Sequence, residues 1–274
     1  MTTLIVDGDL WAYRIAAATE KSTDFGDGQF VLTADAEAGK FNLDELIQGW
    51  SDKLDADRII VAISDERNFR KEVMPTYKAN RANVRRPIIL HELLDHIRAE
   101  YETFIRPGIE ADDVMGILLT NPKVIQGEKI VVTMDKDLRS VPGLHWNPEK
   151  EDKPVLIKPA QADALFYGQV LSGDIVDGYS GCPGIGVKGA AELVANPIRM
   201  VQEAYEVKRG PAKGTLKSRW VKEPTSNIWE CIVTHYEKAG LTEDDALQNA
   251  RVARILRHGE YDYKKKEPIL WTPQ

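Results

Sequence analysis

The chain has 274 residues, 43% of them hydrophobic, enough to bury one large core or a core with a smaller lobe. It offers no run of about 18 apolar residues for a membrane span, no basic-then-apolar N-terminus for secretion, and in Cys182 and Cys231 no disulfide framework or zinc spacing. A protein of the reducing cytoplasm with no membrane partner is expected. The net charge of −7 argues against a nucleic-acid partner, but its distribution argues for one. Residues 67–86 hold seven basic side chains and one acid, residues 207–222 hold six and none, and the remainder carries −19.

Taken in chain order, short β-branched runs lie at LIV (4–6), IIVAI (59–63) and KIVVTM (129–134), each bounded by polar or turn residues. Helical patterns fall at 10–20, 43–54, 87–101, 111–119, 160–171, 186–195, 225–239 and 243–257, with Asn42 and Thr242 as N-caps. Strands alternating with helices predict an α/β fold with a mostly parallel central sheet and helices on both faces. From about residue 160 no convincing strand is seen, and a helical lobe is expected. The expected division is a core over 1–159 and a lobe over 160–274.

Ligands of open α/β sheets bind beyond the C-terminal ends of the strands, and here those ends are acidic. LIV runs into Asp7, IIVAI into Asp65, and KIVVTM into Asp135 and Asp137. EADD supplies Glu110, Asp112 and Asp113 at a helix start. Asp174 and Asp177 follow, spaced so that a helical turn would put both on one face. Each alone has a plain reading as a loop, cap or surface-turn residue. Together the nine are candidates for a single focus, and so many carboxylates cannot all ionise side by side without cations. Oxygen-only ligands suit Mg²⁺ or Mn²⁺, and two such ions can hold both the attacking water and the leaving oxygen of a phosphodiester.

The segment GDIVDGYSGCPGIGVKGAA (173–191) adds a glycine-rich turn opening a helix, a place where backbone N–H groups bind phosphate. With metals bound, the acidic focus and the glycine turn can hold two phosphates of one polymer. Three other readings compete. A haloacid-dehalogenase-type phosphatase would use VDGDL and GDIVD, but the second motif is a residue or more too short and EADD and DKD have no use in it. A P-loop fails because Lys188 comes one residue late and Gly189 replaces the Ser/Thr. A duplex-binding protein without catalysis would use the turn and the basic runs and leave the carboxylates unexplained.

Residues VDG (6–8), YR (13–14), Asp65, YKANR (77–81), EADD, DKDL (135–138) and GDIVDGYSGCPGIGVKGA jointly resemble the structure-specific 5′ nucleases, the flap endonuclease family, over about residues 4–195. LIVDGD, SDERNFRKE, RVARILRHGEYDY and EPILW extend the similarity to the 5′→3′ exonucleases of short-tailed phages over nearly the whole chain. The resemblance implies a PIN-like nuclease core with a short arch at about 66–90 and a DNA-binding lobe with a helix–three-turn–helix at 172–195. Asp7, Asp65, Glu110 and Asp112 resemble the ligands of the metal nearest the scissile phosphate. Asp112, Asp135, Asp137 and Asp174 resemble the neighbours of a second ion, with Asp113 and Asp177 acting directly or through water. Asp9 stands where many relatives have Asn or His.

Lys78 and Arg81 resemble the basic pair of the arch that neutralises charge on the phosphate. Tyr77 is expected either to stack on a base or to pack the arch against the body, and Arg14 either to reach a phosphate or to sit in a structural ion pair. Gly184, Gly186, Lys188 and Gly189 resemble the turn that binds duplex phosphates without reading sequence, a turn in which relatives often hold a monovalent cation. The run 207–222 with Trp220 is expected as a second DNA contact or a mobile solvated loop. The implied activity is Mg²⁺-dependent 5′→3′ hydrolysis of duplex DNA at ends, nicks, gaps or flaps, with RNA of RNA–DNA hybrids a further substrate. A flap endonuclease acting mainly on branched DNA is the alternative within the family. No clamp-binding peptide is found, and a phage-encoded enzyme would work in the bacterial host cytoplasm.

Overall fold

A computed structural model describes residues 1–81 and 83–273; Ala82, inside the expected arch, and Gln274 lie outside the described residues. The chain forms two compact units. The first comprises 1–69, 80–162 and 255–270; the second comprises 70–79, 163–254 and 271–274.

In the first unit, β1 (Thr2–Asp7), α1 (Gly8–Thr19), β2 (Lys21–Asp24), β3 (Phe30–Thr33), α2 (Ala36–Leu54) and β4 (Arg58–Ala62) come first. After α3 (Phe69–Val73), which starts at the unit boundary, follow α4 (Leu90–Glu100), β5 (Glu102–Phe104), α5 (Ala111–Thr120), β6 (Glu128–Val132), β7 (Gly143–Trp146) and β8 (Val155–Ile157). Six strands form one sheet in the order β5-β4-β1-β6-β7-β8, parallel except for β8. The three β-branched runs of the sequence are its centre, β4-β1-β6.

Alternation along those strands explains the layering. Leu4, Val6, Val61, Ile63, Ile130 and Val132 pack with Trp11, Leu43, Ile47, Leu93 and Ile97 of α1, α2 and α4. The intervening Ile5, Ile60 and Val131 are equally buried and face the side on which α5 packs. A parallel sheet covered on both faces requires such uninterrupted apolar runs. α2 begins earlier than expected: Asp35 caps it by accepting from the Ala38 N–H at 3.1 Å, so Asn42 lies inside the helix and is not a cap.

The second unit holds most of α6 (Pro159–Ser172), then α7 (Val187–Ala195), β9 (Ile198–Glu206), β10 (Leu216–Pro224), α8 (Ile228–Lys238) and α9 (Glu243–Ala253). The chain closes in the first unit with β11 (Tyr261–Asp262) and β12 (Glu267–Pro268). Phe166 and Val170 of α6, Trp229, Ile232 and Tyr236 of α8, and Ala246 and Ala250 of α9 form the second core, joined by Tyr77 and Tyr179. Thr242 caps α9 as expected, its Oγ1 and the Asp245 carboxylate forming a reciprocal pair. The expected helical lobe also contains a hairpin that no strand pattern announced, β9 and β10 pairing antiparallel over nine residues each. Their alternation is broken by charged and small residues on both faces, which hid them from a search for half-buried strands.

Candidate active site

The acidic residues of the first unit gather at one end of the sheet because β4, β1 and β6 run parallel and in register, Asp7 lying opposite Ala62 and Val6 opposite Val132. Gly8 lets α1 leave immediately after Asp7: a Cβ there would sit 2.7 Å from the Ala62 carbonyl. Asp7 is 5% exposed and caps α1, its Oδ1 accepting from the Leu10 N–H at 3.0 Å. Its Oδ2 accepts from the Thr133 hydroxyl at 2.9 Å, and the same Thr133 oxygen accepts from the Asp135 N–H at 3.1 Å. One threonine therefore couples the acidic ends of β1 and β6. Burial pushes the Asp7 carboxyl up to about 7; the Leu10 N–H opposes this, and the negative charges of Asp9 and Asp135 add to it.

The β4 end is tied to the start of α5 by three hydrogen bonds. Asp65 Oδ2 accepts from the Gly108 N–H at 2.8 Å, the Asp65 N–H donates to Ile109 at 3.1 Å, and Ser64 Oγ accepts from the Ala111 N–H at 2.9 Å. This holds Glu110 and Asp112, both half-buried, at the N-terminus of α5. Asp113 is fully buried, and its oxygens accept from the Glu110 N–H at 3.2 Å and the Leu256 N–H at 3.0 Å. Asp9 accepts from the Ser64 N–H at 3.0 Å, and burial raises its carboxyl, with the Glu110 charge adding. Asp135 Oδ1 accepts from the Asp137 N–H at 2.8 Å and fixes the turn that carries Asp137. Among the described residues, no three His, Cys, Asp or Glu side chains are drawn together tightly enough to cage a metal ion.

In the second unit Asp174 and Asp177 lie on a turn and not on a helical face. Asp174 and Tyr179 close the turn by reciprocal backbone bonds of 2.8 and 3.0 Å, and Asp174 Oδ1 accepts from the N–H groups of Val176 and Asp177. A glycine pair forms its neck. Gly173 and Gly181, at φ 68° and 64°, face each other backbone to backbone, and a Cβ on either would come within 2.3 Å of the other strand of the turn.

Gly178 performs the same service for residues 76–78, since its Cβ would lie 2.4 Å from the Thr76 carbonyl. There Lys78, at φ 52°, donates its N–H to the Asp177 carbonyl at 2.8 Å and sets its ammonium 3.8 Å from Asp177 Oδ2. Tyr77 is 3% exposed, with its hydroxyl 3.3 Å from the same carboxylate, so its ring has no open face for a base. Packing, the second of its two expected roles, is the one observed.

Arg14 likewise takes its structural role, pairing with Glu149 at 2.5 Å and donating to the Met134 sulfur. Arg81 ends a short 3₁₀ turn and is exposed. Gly184, Gly186 and Lys188 are exposed and Gly189 partly so; nothing crowds the Cα of Gly184 or Gly186, and Gly186 opens α7 without a side-chain cap. Sequence reasoning quoted Gly8, Ser64, Thr133, Gly173, Gly178 and Gly181 within its motifs and runs but gave them no role of their own. Thr133 left a signal as a polar residue inside an apolar run, two residues before an acidic cluster.

Residues 2–145 match the family described as 5′-3′ exonuclease, N-terminal resolvase-like domain. The chain is 32% identical to the exonuclease of Escherichia phage T7, over 98% of this chain and 93% of that one. It is also 32% identical to the exodeoxyribonuclease of Enterobacteria phage T3, over 99% and 93%. A solved complex of the bacteriophage T5 D15 flap endonuclease with DNA and metal ions shares the fold, with a TM-score of 0.52 and 17% identity over 71% of this chain and 75% of that one. The chain belongs to the 5′→3′ exonuclease family of enzymes, within the wider flap endonuclease group.

Proposed function

We propose that this enzyme hydrolyses phosphodiesters from the 5′ ends of duplex DNA and depends on Mg²⁺ to do so. The observation that carries this reading is Asp7, a buried carboxylate in a field of like charge at the meeting point of two strand ends. A divalent cation relieves that conflict. The donor set of the rim is oxygen-only, as Mg²⁺ prefers, and Mg²⁺ keeps several waters and shares substrate phosphates, so it needs no closed protein cage. The residues fit the ion. Two bound Mg²⁺ ions, or Mn²⁺ in their place, would supply a polarised water and counter-charge for the leaving 3′ oxygen.

The chain's own residues do the positioning. Asp7, Asp65, Glu110, Asp112, Asp135 and Asp137 present carboxylates whose orientations are set by backbone N–H groups, by Thr133 and by the α5 start. Asp113 acts as a positioning residue through the Glu110 and Leu256 N–H groups it holds. Asp174 and Asp177 enter this reading through the sequence resemblance alone. Lys78 and Arg81 enter in the same way, as the pair that supplies positive charge for the phosphate, and Lys78 would exchange its Asp177 partner for it. Gly184, Gly186, Lys188 and Gly189 bind duplex phosphates through exposed backbone and an ammonium, and the resemblance adds a monovalent cation to the turn. Tyr77 serves by packing residues 76–78, and Arg14, 40% exposed beside Glu149, is available to a phosphate only by leaving that pair.

The test is one linear duplex labelled at a 5′ end and, separately, at a 3′ end, incubated with Mg²⁺ and then with chelator. Early release of short products from the 5′ label alone, lost under chelation and in Asp135→Asn, is the expected result. Intact DNA in Mg²⁺ and in Mn²⁺ despite a mobility shift would leave a binding protein. Nicked, gapped and flapped duplexes and an RNA–DNA hybrid run in parallel set the substrate range, and a rate at least tenfold higher on a flap than on a blunt end would move the assignment to flap cutting.

A further inference from the structure

We propose that the β9–β10 hairpin is a basic arm that grips the phosphate backbone of duplex DNA. The inference rests on the reading above only in taking duplex DNA as the substrate. The base of the hairpin is anchored within its unit. Met200 is buried, its N–H donating to Thr234 Oγ1 of α8 at 3.0 Å, and Arg199 pairs with both Glu223 and Glu230. Beyond that base the ribbon changes character, for residues 202–206 and 215–219 are exposed on both faces. Five residues of strand extend about 17 Å, and a two-stranded ribbon with both faces in water is at best marginally stable. This length of exposed ribbon contributes little to the core, and so calls for an external partner.

The tip identifies the partner. Residues 207–218 contain no acid and carry Lys208, Arg209, Lys213 and Lys217. Of the two acids nearest the tip, Glu203 pairs with Arg219, 2.7 Å away across the ribbon, and the exposed Glu206 lies opposite Leu216, so the tip keeps a net positive charge. Among the described residues none of the four tip cations is in an ion pair. The loop is ordered by its own backbone. Val207 and Thr215 are bonded at 3.0 Å, Gly214 donates to Val207 at 2.9 Å, and Lys213 donates to Gly210 at 3.1 Å, with Gly210 and Gly214 at φ 85° and 86° supplying the reversals. Four uncommitted cations at the end of a built ribbon match a polyanion, and a two-stranded ribbon has the width of a DNA groove. The face of the ribbon that carries Gln202, Ala204, Glu206, Leu216 and Ser218 holds no cation, so the cations of the tip make the contact, with phosphates and without reading sequence. A second copy of the chain fits less well, because like-charged tips repel and edge lysines oppose strand pairing.

The experiment combines Lys208→Ala, Arg209→Ala, Lys213→Ala and Lys217→Ala and measures binding to a fluorescent 30-base-pair blunt duplex in chelator, across a KCl series. Binding needs no cutting, so the result stands whether or not the enzyme degrades DNA. The expected result is a log K against log salt slope shallower by about three to four, with affinity at 0.1 M salt down on the order of 100-fold. A single Lys188→Ala control is expected to lower the slope by about one. Unchanged slope and affinity in a variant with unaltered circular dichroism and melting temperature would overturn the proposal. So would sedimentation showing a wild-type dimer that the variant converts to monomer.

Discussion

Residues 67–86 and 207–222 each carry a net charge of +6, yet three cations of the first run are held by partners in the protein, while the tip of the second is held out into solvent. Arg70 is 2% exposed and donates to the Val252 and Arg254 carbonyls at 2.8 and 2.7 Å. Lys78 pairs with Asp177, and Arg85 with Glu20. In the second run Arg219 has an acid partner in Glu203, while Lys208, Arg209, Lys213 and Lys217 extend from a ribbon. Net charge along a sequence counts cations without showing what faces them. What separates the two runs is the supply of carbonyls and carboxylates that the fold brings to each.

Arg70→Ala offers the largest test of that contrast. It leaves two buried carbonyls without their charged donor, and a loss of about 3 kcal/mol is expected, read as a lower urea midpoint at unchanged slope. Lys71→Ala, one residue on and exposed, should leave the midpoint where it is. Equal effects would mean that Arg70 is not the anchor its geometry indicates. Next comes the Lys78–Asp177 pair, whose side chains are 17% and 21% exposed. A double-mutant cycle with Lys78→Met and Asp177→Asn should show a coupling of about 1 kcal/mol; a coupling near zero would mean that Lys78 is as available as the tip lysines.

Much of the site was legible because strand ends are legible. Asp7, Asp65 and Asp135 follow apolar runs whose parallel pairing the helix-strand alternation implied, and the sheet delivered their backbones to one edge. What stayed hidden was long-range or purely steric. That Thr133 joins Asp7 to Asp135 depends on a contact 126 residues apart, and the need for glycine at 173, 178 and 181 arises from backbones that meet only on folding. Tyr77 and Arg14 each carried two readings in sequence; the burial of one and the acid partner of the other are facts of the fold that no local pattern supplies. The β9–β10 ribbon escaped because a strand exposed on both faces lacks the alternation that marks a strand packed on one.

The smallest effect probes the exposed end of the first run. Arg85 makes a two-pronged contact to Glu20 at 2.7 and 2.5 Å, and the Ile88 N–H adds a third bond at 2.8 Å. The Arg85 contact first, then the Ile88 N–H, holds the Glu20 carboxyl down to about 2. The folded value lies below the ordinary 4.5, so the ionised form is favoured by folding. Its stabilisation is complete above about pH 4.5 and is lost as pH falls through 2. Arg85 is largely exposed while the Glu20 side chain is 11% exposed, so water screens the pair only from the Arg85 side, and a small fall of the unfolding midpoint is expected in Arg85→Gln at neutral pH. The pair is most visible in its own titration. Carbon-detected NMR of the Glu20 carboxyl should give a midpoint near 2, moving part of the way back towards 4.5 in Arg85→Gln, with the Ile88 N–H retaining the rest. A wild-type Glu20 that titrates at the ordinary value would release Arg85 from its partner. The first run would then present a free cation at 85, and the contrast with the hairpin would narrow to Arg70 and Lys78.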